Sequence, residues 1–300
     1  MTQANTSQDA SLNALRLACR QAGIDGRDAE PIRFSENAVY RLSRGVVARV
    51  SRVGRLRAAV KEVQVARWLE EAGVPAVQVL AEVDQPVEAG GRAVTFWREL
   101  PPHRPGTAAD VAAVLKILHG LPPPAHFELP LLDPFVRLAE RIDHARMYTA
   151  EERLWLRERL ADLECGYAEL PPGLPARVVH GDAWIGNVLA TGDGRVVLAD
   201  FERSAFGPPE WDLVSMAVKY ASLGGISEEQ YAAFVETYGH DVMAWEGYRV
   251  LRDIRELRLV TMAAQIGMEN AGVRGEAAVR LAAIRGRSGP RPWHWKAVSR

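Results

Sequence analysis

The sequence has few lysines, few cysteines and no long apolar run. Only four of its 37 basic residues are lysines: Lys61, Lys116, Lys219 and Lys296. The two cysteines, Cys19 and Cys165, are far apart and have no CxxC neighbour, so neither a disulfide framework nor a zinc site is indicated. No run of about 18 apolar residues occurs, and the polar N-terminus lacks the apolar core of a signal peptide. We therefore expect no membrane segment and a reducing, cytoplasmic location.

A large net charge of either sign is also missing, because 37 Lys+Arg and 38 Asp+Glu give −1. Bulk attraction to nucleic acid or to an anionic membrane is therefore not implied. The 300 residues are 48% hydrophobic and 25% charged, close to globular averages. This length allows one large domain or two moderate ones, with ample material for a core.

The N-terminal third reads as short strands with one long helix. The segments predicted as strands are 38–43, 45–51, 77–83 and 92–98, and those predicted as helices are 10–23 and 55–72. After the breaker-rich connection at 101–106 the chain becomes mainly helical. The predicted helices there are 107–120, 132–146, 150–169, 210–223, 227–238, 246–269 and 274–286, and two short strands are predicted at 177–180 and 195–200.

These elements predict an α+β fold with two unequal lobes. We place a β-rich N-lobe at 1–98 and a larger, mainly helical C-lobe at 99–300, joined near residues 97–101. One crossing segment between two lobes is expected to leave a cleft, and ligands favour such clefts.

The segment 177–213 carries the chemistry. A strand leads into His180-Gly181-Asp182, Asn187 follows five residues later, and a hairpin leads to a second strand that ends at Asp200. Asp182, Asn187 and Asp200 are then expected to converge. Phosphoryl transfer needs positioning, charge neutralisation by a divalent ion and an acceptor for the proton of the attacking hydroxyl. Asn187 and Asp200 offer the hard oxygen ligands that Mg²⁺ takes, and Asp182 would accept the proton.

HGDAWIGN (180–187) followed by ADFE (199–202) resembles the H-G-D-x-x-x-x-N … D-x-E/D pattern of the aminoglycoside phosphotransferase and choline kinase superfamily. GPPEWDLV (207–214), LKILHGLP (115–122) and EAGVPAVQVL (71–80) are similar to further family segments in the same order. The resemblance covers about residues 34–290 and implies a protein-kinase-like bilobal fold. It also implies that His180 and Asp212 have structural roles near the active site.

Position within this pattern implies the nucleotide contacts. The turn containing Ser35 and Asn37 stands where the phosphate-covering turn belongs, although a plain hairpin turn explains it equally well. Arg49 holds the place of the usual ATP-orienting lysine, which is a departure from the family, and Glu62 matches the acid that pairs with that base. Lys61 projects about 100° away from Glu62 on the helix and is not expected to replace the lysine.

The segment 94–100 takes the hinge position, where the backbone would bond the adenine edge near Trp97 and Glu99. Trp97 is equally well explained as lobe-interface core. Glu202 has three alternatives: it joins the metal shell, contacts the substrate or pairs with an arginine.

Two groups of arginines leave alternatives open. Residues 41–61 hold seven basic residues and no acid, either to attract phosphate or as a solvated face. In the segment 246–269, arginines interleave with acids at spacings that suggest helix-surface pairs rather than an acidic pocket for a cationic antibiotic. Those arginines are Arg249, Arg252, Arg255 and Arg258.

Together these features predict an ATP- or GTP- and Mg²⁺-dependent kinase that phosphorylates a hydroxyl of a small molecule. The alternatives for the acceptor are an aminoglycoside-like compound, an amino alcohol, a sugar and an amino acid. The alternative, motivated by Arg49, is a catalytically inert kinase-like module that binds nucleotide or a partner. The sequence is compatible with a monomer or a homodimer.

Overall fold

The computed structural model describes residues 2–34 and 37–298, with the backbone only for residues 2–7. The described residues form two compact units that are discontinuous along the chain. The first comprises 1–106, 121–129 and 185–204, and the second comprises 107–120, 130–184 and 205–300. A single boundary between residues 98 and 99 stays a prediction.

The described residues contain strands and helices of very different length. The strands are β1 (Glu30–Phe34), β2 (Ala38–Leu42), β3 (Val46–Val53), β4 (Val87–Ala89), β5 (Arg92–Arg98), β6 (His103–Pro105), β7 (Arg177–Val179), β8 (Val188–Thr191), β9 (Val196–Leu198) and β10 (Ala205–Gly207). The helices are α1 (Thr2–Ala22), α2 (Leu56–Glu71), α3 (Ala108–Gly120), α4 (Leu138–His144), α5 (Ala150–Ala168), α6 (Glu210–Ala217), α7 (Glu228–Tyr238), α8 (Tyr248–Glu269) and α9 (Arg274–Ile284).

The first unit is built on an antiparallel sheet in the order β1-β2-β3-β5-β4. Side chains alternate along β3, so Ala48 and Val50 enter a core that α1 covers with Leu15 and Cys19. Arg49 therefore points to the opposite face. There α2 buries a stripe at the helical spacing of three to four residues: Ala59, Glu62, Val63, Ala66 and Leu69.

A second, three-stranded sheet of the first unit has the order β6-β8-β9. Its hairpin turns at Gly194, whose φ of 83° is readily adopted by glycine. Val188 lies opposite Leu198, and the N–H of Ala199 donates to the carbonyl of Asn187 at 2.9 Å. The hairpin thus brings Asn187 and the residue before Asp200 together at its open end.

The described residues of the second unit are mainly helical and include the antiparallel strand pair β7 and β10. Helix α8 is central, because it packs against α4, α5, α6 and α9. Its buried residues recur with helical periodicity and include Leu251, Ile254, Leu257 and Val260. Helix α5 begins with a capping box in which Thr149 and Glu152 exchange hydrogen bonds.

The predicted mixture of a β-rich N-terminal region and a helical C-terminal region is confirmed. The predicted strand 77–83 is wrong. Only an isolated bridge joins Val79 to Trp97, because β4 takes the place beside the first part of β5. Strands β1, β4, β6, β8 and β10 were not predicted.

Three predicted helices differ from those observed. The helix predicted over 10–23 begins earlier, at Thr2, and ends at Ala22. The helix predicted over 132–146 begins only at Leu138, because Arg137 before it adopts a left-handed conformation with φ 65°. The helix predicted over 210–223 divides into α6 and a π-helical turn at Val218–Ser222. Among the described residues, no helix combines the length and apolar character needed to cross a membrane.

Candidate active site

Arg49 and Glu62 form a buried ion pair in the first unit. Arg49 stands on β3 between Val39 and Thr95 of the neighbouring strands, and α2 brings Glu62 to its guanidinium. Glu62 also accepts a hydrogen bond from the N–H of Phe201. Their side chains are 17% and 7% exposed. The pairing implied by the family resemblance is therefore present.

Burial affects the two partners in different ways. Burial opposes the charge of Arg49, but Glu62 and Asp200 outweigh it and raise the pKa of the guanidinium. Burial, with Asp200 nearby, raises the pKa of Glu62 even though Arg49 opposes that change. Arg49 thus stays charged beside two acids, ready for an anionic ligand.

An open pocket of the first unit adjoins this pair. Its lining residues are Asn37, Arg49, Ser51, Arg55, Ala58, Ala59, Glu62, Ala93, Thr95 and Glu202. Asn37, predicted to contact nucleotide, is therefore at the pocket, whereas Ser35 lies outside the described residues. Glu202 forms an ion pair with Arg55, which is one of the three roles considered for it.

Trp97 and Glu99 belong to the end of β5 and the residues after it. The Trp97 side chain is buried, and its Nε1–H donates to Thr95 Oγ1 at 2.8 Å. The N–H of Glu99 donates to the carbonyl of Gly45 at 2.7 Å, and its carboxylate pairs with Arg41 at 2.6 Å. A contact of either residue with adenine stays a prediction.

The basic segment 41–61 is neutralised in part. Arg41, Arg49 and Arg55 each pair with an acid. Lys61 donates to the carbonyl of Ser204 at 3.0 Å, and burial, with Arg203 nearby, lowers the pKa of Lys61. Lys61 therefore binds the backbone and does not occupy the place of Arg49.

Asn187 and Asp200 share the open end of the β8–β9 hairpin. Both side chains are partly buried, and Asp200 takes a left-handed backbone conformation with φ 69°. Such a conformation is uncommon for residues other than glycine and is a feature of functional turns. No group of three or more His, Cys, Asp and Glu that could hold a metal occurs in the part of the chain that is described. A metal ion here would have a carboxylate and an amide oxygen as its protein ligands.

Asp182 lies in the second unit, on the loop after β7. Its side chain is 45% exposed. The loop is anchored by Asp212, whose carboxylate accepts from the N–H groups of His180 at 2.6 Å and Gly181 at 2.8 Å. The fully buried His180 ring accepts from the N–H of Asp182 at 3.3 Å. The loop thus presents an exposed carboxylate, while the side chains of His180 and Asp212 that support it are buried and hydrogen-bonded.

Asp212 is itself fully buried and lies 3.1 Å from Nε2 of His119. Burial alone would raise the pKa of Asp212. Burial is outweighed by the hydrogen bond to His119, by the nearby side chains of His119 and His180 and by the backbone N–H of His180. Together these interactions lower the pKa of Asp212. The carboxylate therefore stays ionised and keeps accepting the two loop hydrogen bonds.

The interpretation of the α8 arginines as helix-surface pairs is wrong for two of them. Arg255 is buried beside Asp182, with Nη1 at 3.7 Å from Oδ1. Arg258 donates to the carbonyl of Pro134 at 2.7 Å. Helical spacing alone cannot reveal such partners, because they come from other elements. Arg252 does approach Glu256 on the same helix, at 3.8 Å.

The family of the chain follows from its sequence. A family model described as the phosphotransferase enzyme family matches residues 28–254. Because this match spans well over half of the chain, the protein belongs to the phosphotransferase enzyme family. Among curated proteins, no relative reaches significant similarity.

Solved structures show the same fold across nearly the whole chain. A choline/ethanolamine kinase family protein from Mesorhizobium loti is 21% identical, with a TM-score of 0.64 and 96% of each chain covered. A spectinomycin phosphotransferase, solved with ADP and spectinomycin, is 13% identical, with a TM-score of 0.65 and coverage of 94% of this chain and 96% of that one. An amicoumacin kinase, solved with AMP-PNP and Ca²⁺, is 14% identical, with a TM-score of 0.63 and coverage of 98% and 97%. The predicted protein-kinase-like fold and the predicted family are thereby confirmed.

Proposed function

We propose that this protein transfers the γ-phosphoryl group of ATP or GTP to a hydroxyl group of a small molecule. The observation that carries the proposal is the exposed carboxylate of Asp182, held on a loop that the buried Asp212 fixes through two backbone N–H groups. An accessible carboxylate on a rigid support is what a proton acceptor for an attacking hydroxyl requires.

Asp182 is proposed to orient the acceptor hydroxyl and take its proton. The hydroxyl oxygen forms a bond to the γ-phosphorus while the bond between that phosphorus and the bridging oxygen of the nucleoside diphosphate breaks. The proton moves to the carboxylate and the electron pair of the broken bond stays on the diphosphate. His180 and Asp212 support the loop without touching the reacting atoms.

Arg49 is proposed to contact the nucleotide phosphates, with Glu62 holding its guanidinium in place. The buried ion pair supports this role, because its guanidinium lines an open pocket and is charged. Ser35 and Asn37 are proposed to cover the phosphates. Trp97 and Glu99 are proposed to lie beside the adenine.

Asn187 and Asp200 fit a divalent metal ion such as Mg²⁺, since both offer hard oxygen atoms at the same end of one hairpin. When bound, such an ion neutralises charge on the transferred phosphoryl group. Its remaining ligands would be phosphate oxygens and water, which suits a site with only two protein groups. Two of the structural neighbours were solved with nucleotides, and one of these also with Ca²⁺.

The acceptor is proposed to be a small hydroxyl compound: aminoglycoside-like, an amino alcohol or a sugar. The structural neighbours include a spectinomycin phosphotransferase, an amicoumacin kinase and also a choline kinase, so their compounds are very different. The alternative of a catalytically inert module has Arg49 as its motivation. Asp182, Asn187 and Asp200 are all present, and an inert module would not require the three together.

The decisive experiment measures nucleotide binding and transfer separately. Calorimetry with Mg²⁺ and ATP or GTP should show binding by the wild type and much weaker binding by Asp200→Ala. Phosphoryl transfer across a panel of aminoglycosides, amino alcohols and sugars should then fall by about 10²- to 10⁴-fold in Asp182→Asn, while nucleotide binding is retained. Binding without transfer to any acceptor would favour the inert module, and transfer that survives Asp182→Asn unchanged would refute the role of Asp182.

A further inference from the structure

Arg255 is a buried arginine of α8 that contacts the segment bearing Asp182. Its Nη2 donates to the carbonyl of Trp211 at 2.7 Å and lies 3.5 Å from the carbonyl of Gly181. Its Nη1 lies 3.7 Å from Oδ1 of Asp182. The side chain is 10% exposed. One guanidinium thus links the carboxylate of Asp182 to the backbone of both Gly181 and Trp211.

The position of this guanidinium is closely defined. It stacks over the ring of Trp211, with Cζ 3.9 Å from the ring centroid. The Nε1–H of Trp211 in turn donates to the carbonyl of Gly181 at 3.1 Å. A buried charge is costly unless it is well bonded. A guanidinium that moved away would lose these contacts, so they restrict it to a narrow range of positions.

We propose that Arg255 is a positioning residue that fixes the orientation of the Asp182 carboxylate. At 3.7 Å the interaction is an ion pair rather than a short hydrogen bond. The guanidinium therefore attracts Oδ1 toward the core, which sets the direction of the whole carboxylate. On the N-terminal side the loop is fixed by Asp212, so Arg255 supplies the complementary restraint on the carbonyl side of Gly181.

The consequence is kinetic, and it rests on the proposed function. A carboxylate that rotates away from the acceptor hydroxyl reduces the fraction of productive complexes without weakening substrate binding. Misplacement of a reacting group by about 1 Å can cost about 10²-fold in rate. Loss of Arg255 should therefore lower kcat and leave KM for nucleotide and acceptor unchanged.

Arg258 provides a matched control one turn further along α8. It too lies over the Trp211 ring, with Cζ 5.8 Å from the centroid, but it donates to the carbonyl of Pro134. Arg255→Met and Arg258→Met remove the same charge and keep similar apolar volume on the same helix. A general disturbance of the Trp211 core would affect both variants, whereas positioning of Asp182 concerns Arg255.

The test compares wild type, Arg255→Met, Arg255→Lys and Arg258→Met in steady-state kinetics and as crystal structures. We expect kcat to fall about 10²-fold in Arg255→Met at unchanged KM, with partial rescue in Arg255→Lys and no change in Arg258→Met. The carboxylate of Asp182 should keep its orientation in Arg258→Met and lose it in Arg255→Met. A kcat for Arg255→Met within twofold of wild type, or an equal loss in Arg258→Met, overturns the proposal.

The crystallographic comparison separates this inference from the proposed function. If no acceptor is phosphorylated by the wild type, the proposed function fails, and the orientation of Asp182 in the variants still decides the role of Arg255. If Arg255→Met does not fold, Arg255→Lys decides. The shorter, non-planar ammonium keeps the charge but cannot reproduce the fork contacts, so a partly turned carboxylate is expected and an unchanged one overturns the proposal.

Discussion

Glu62 of the first unit and Asp212 of the second unit are both buried carboxylates, and they are stabilised in different ways. Glu62 of the first unit pairs with one charged side chain, Arg49, and accepts one backbone hydrogen bond. Asp212 of the second unit accepts two backbone N–H groups and lies beside His119. Burial raises the pKa of Glu62, whereas at Asp212 the polar partners outweigh burial and lower the pKa.

This difference indicates that the two buried carboxylates have different roles, one in supporting a loop and one in holding an arginine at a pocket. Asp212 is enclosed by groups of its own unit, so it serves the architecture of the loop that carries Asp182. Glu62 pairs with Arg49, which also lines an open pocket. A ligand in that pocket would therefore contact the same guanidinium that Glu62 holds. We therefore expect substitution of Asp212 to reduce stability and substitution of Glu62 to reduce ligand binding.

The largest effect on stability is expected for Asp212→Asn. The amide would leave at least one backbone N–H unsatisfied and would place its own NH₂ against donors, which we estimate to cost about 3 kcal/mol of unfolding free energy. Denaturant unfolding at neutral pH measures this loss. The control is Asp110→Asn, a partly exposed carboxylate at the start of α3, for which a loss below about 1 kcal/mol is expected.

The difference in stability between wild type and Asp212→Asn should depend on pH with a definite sign. The pKa of Asp212 is lowered in the folded state, so the carboxylate contributes stability above the ordinary value near 3.9 and loses that contribution as pH falls through the folded pKa. The advantage of wild type over Asp212→Asn should shrink as pH falls below about 4. An advantage that keeps growing below about pH 4 would contradict the lowered pKa.

How far the sequence reveals these structures depends on the range of the interactions. Long periodic helices are predictable: α2 was predicted over 55–72 and is observed over Leu56–Glu71. Three-residue strands such as β4 and β6 exist only through their neighbours, and a single sequence does not show which neighbour is available. Likewise, the segment 77–83 has the composition of a strand, and its sequence does not show that Val79 forms only an isolated bridge with Trp97.

The candidate site shows the same division. The ion pair of Arg49 with Glu62 follows from the family resemblance, since Arg49 stands at the place of the usual lysine and Glu62 at the place of the acid that pairs with it. The contact of Arg255 with Asp182 does not, because arginines spaced by three along α8 fit helix-surface pairs equally well. Whether such a residue faces solvent or the loop that carries Asp182 is decided by tertiary packing alone.

A smaller effect on stability, and a larger one on binding, is expected for Glu62→Gln. The variant keeps the shape of the side chain and removes the charge that holds Arg49, so nucleotide affinity should fall by about tenfold, equivalent to about 1.4 kcal/mol. Calorimetry measures the affinity, and unfolding should cost less than in Asp212→Asn. The comparison of the two carboxylates is wrong if Glu62→Gln is the less stable variant.

Arg49→Lys tests the departure from the usual lysine, by calorimetry for nucleotide binding and by steady-state kinetics for turnover. If arginine serves here only because the protein as a whole favours arginine over lysine, both forms should bind nucleotide and support turnover, because each retains the charge beside Glu62. A sharp rise in turnover in Arg49→Lys would instead show that the planar guanidinium is a compromise at this position.

The smallest effect is expected for Glu202→Gln, which separates the roles left open for this acid. Glu202 pairs with Arg55, and their side chains are 22% and 45% exposed, so the pair is only partly shielded from water. Such pairs contribute about 0–1 kcal/mol, and salt reduces that contribution further. We therefore expect Glu202→Gln and Arg55→Met to cost equally little unfolding free energy and to leave Mg²⁺-dependent turnover nearly unchanged. A loss of turnover that excess Mg²⁺ restores in Glu202→Gln, but that does not occur in Arg55→Met, would instead assign Glu202 to the metal ion, because only the acid can supply a ligand oxygen.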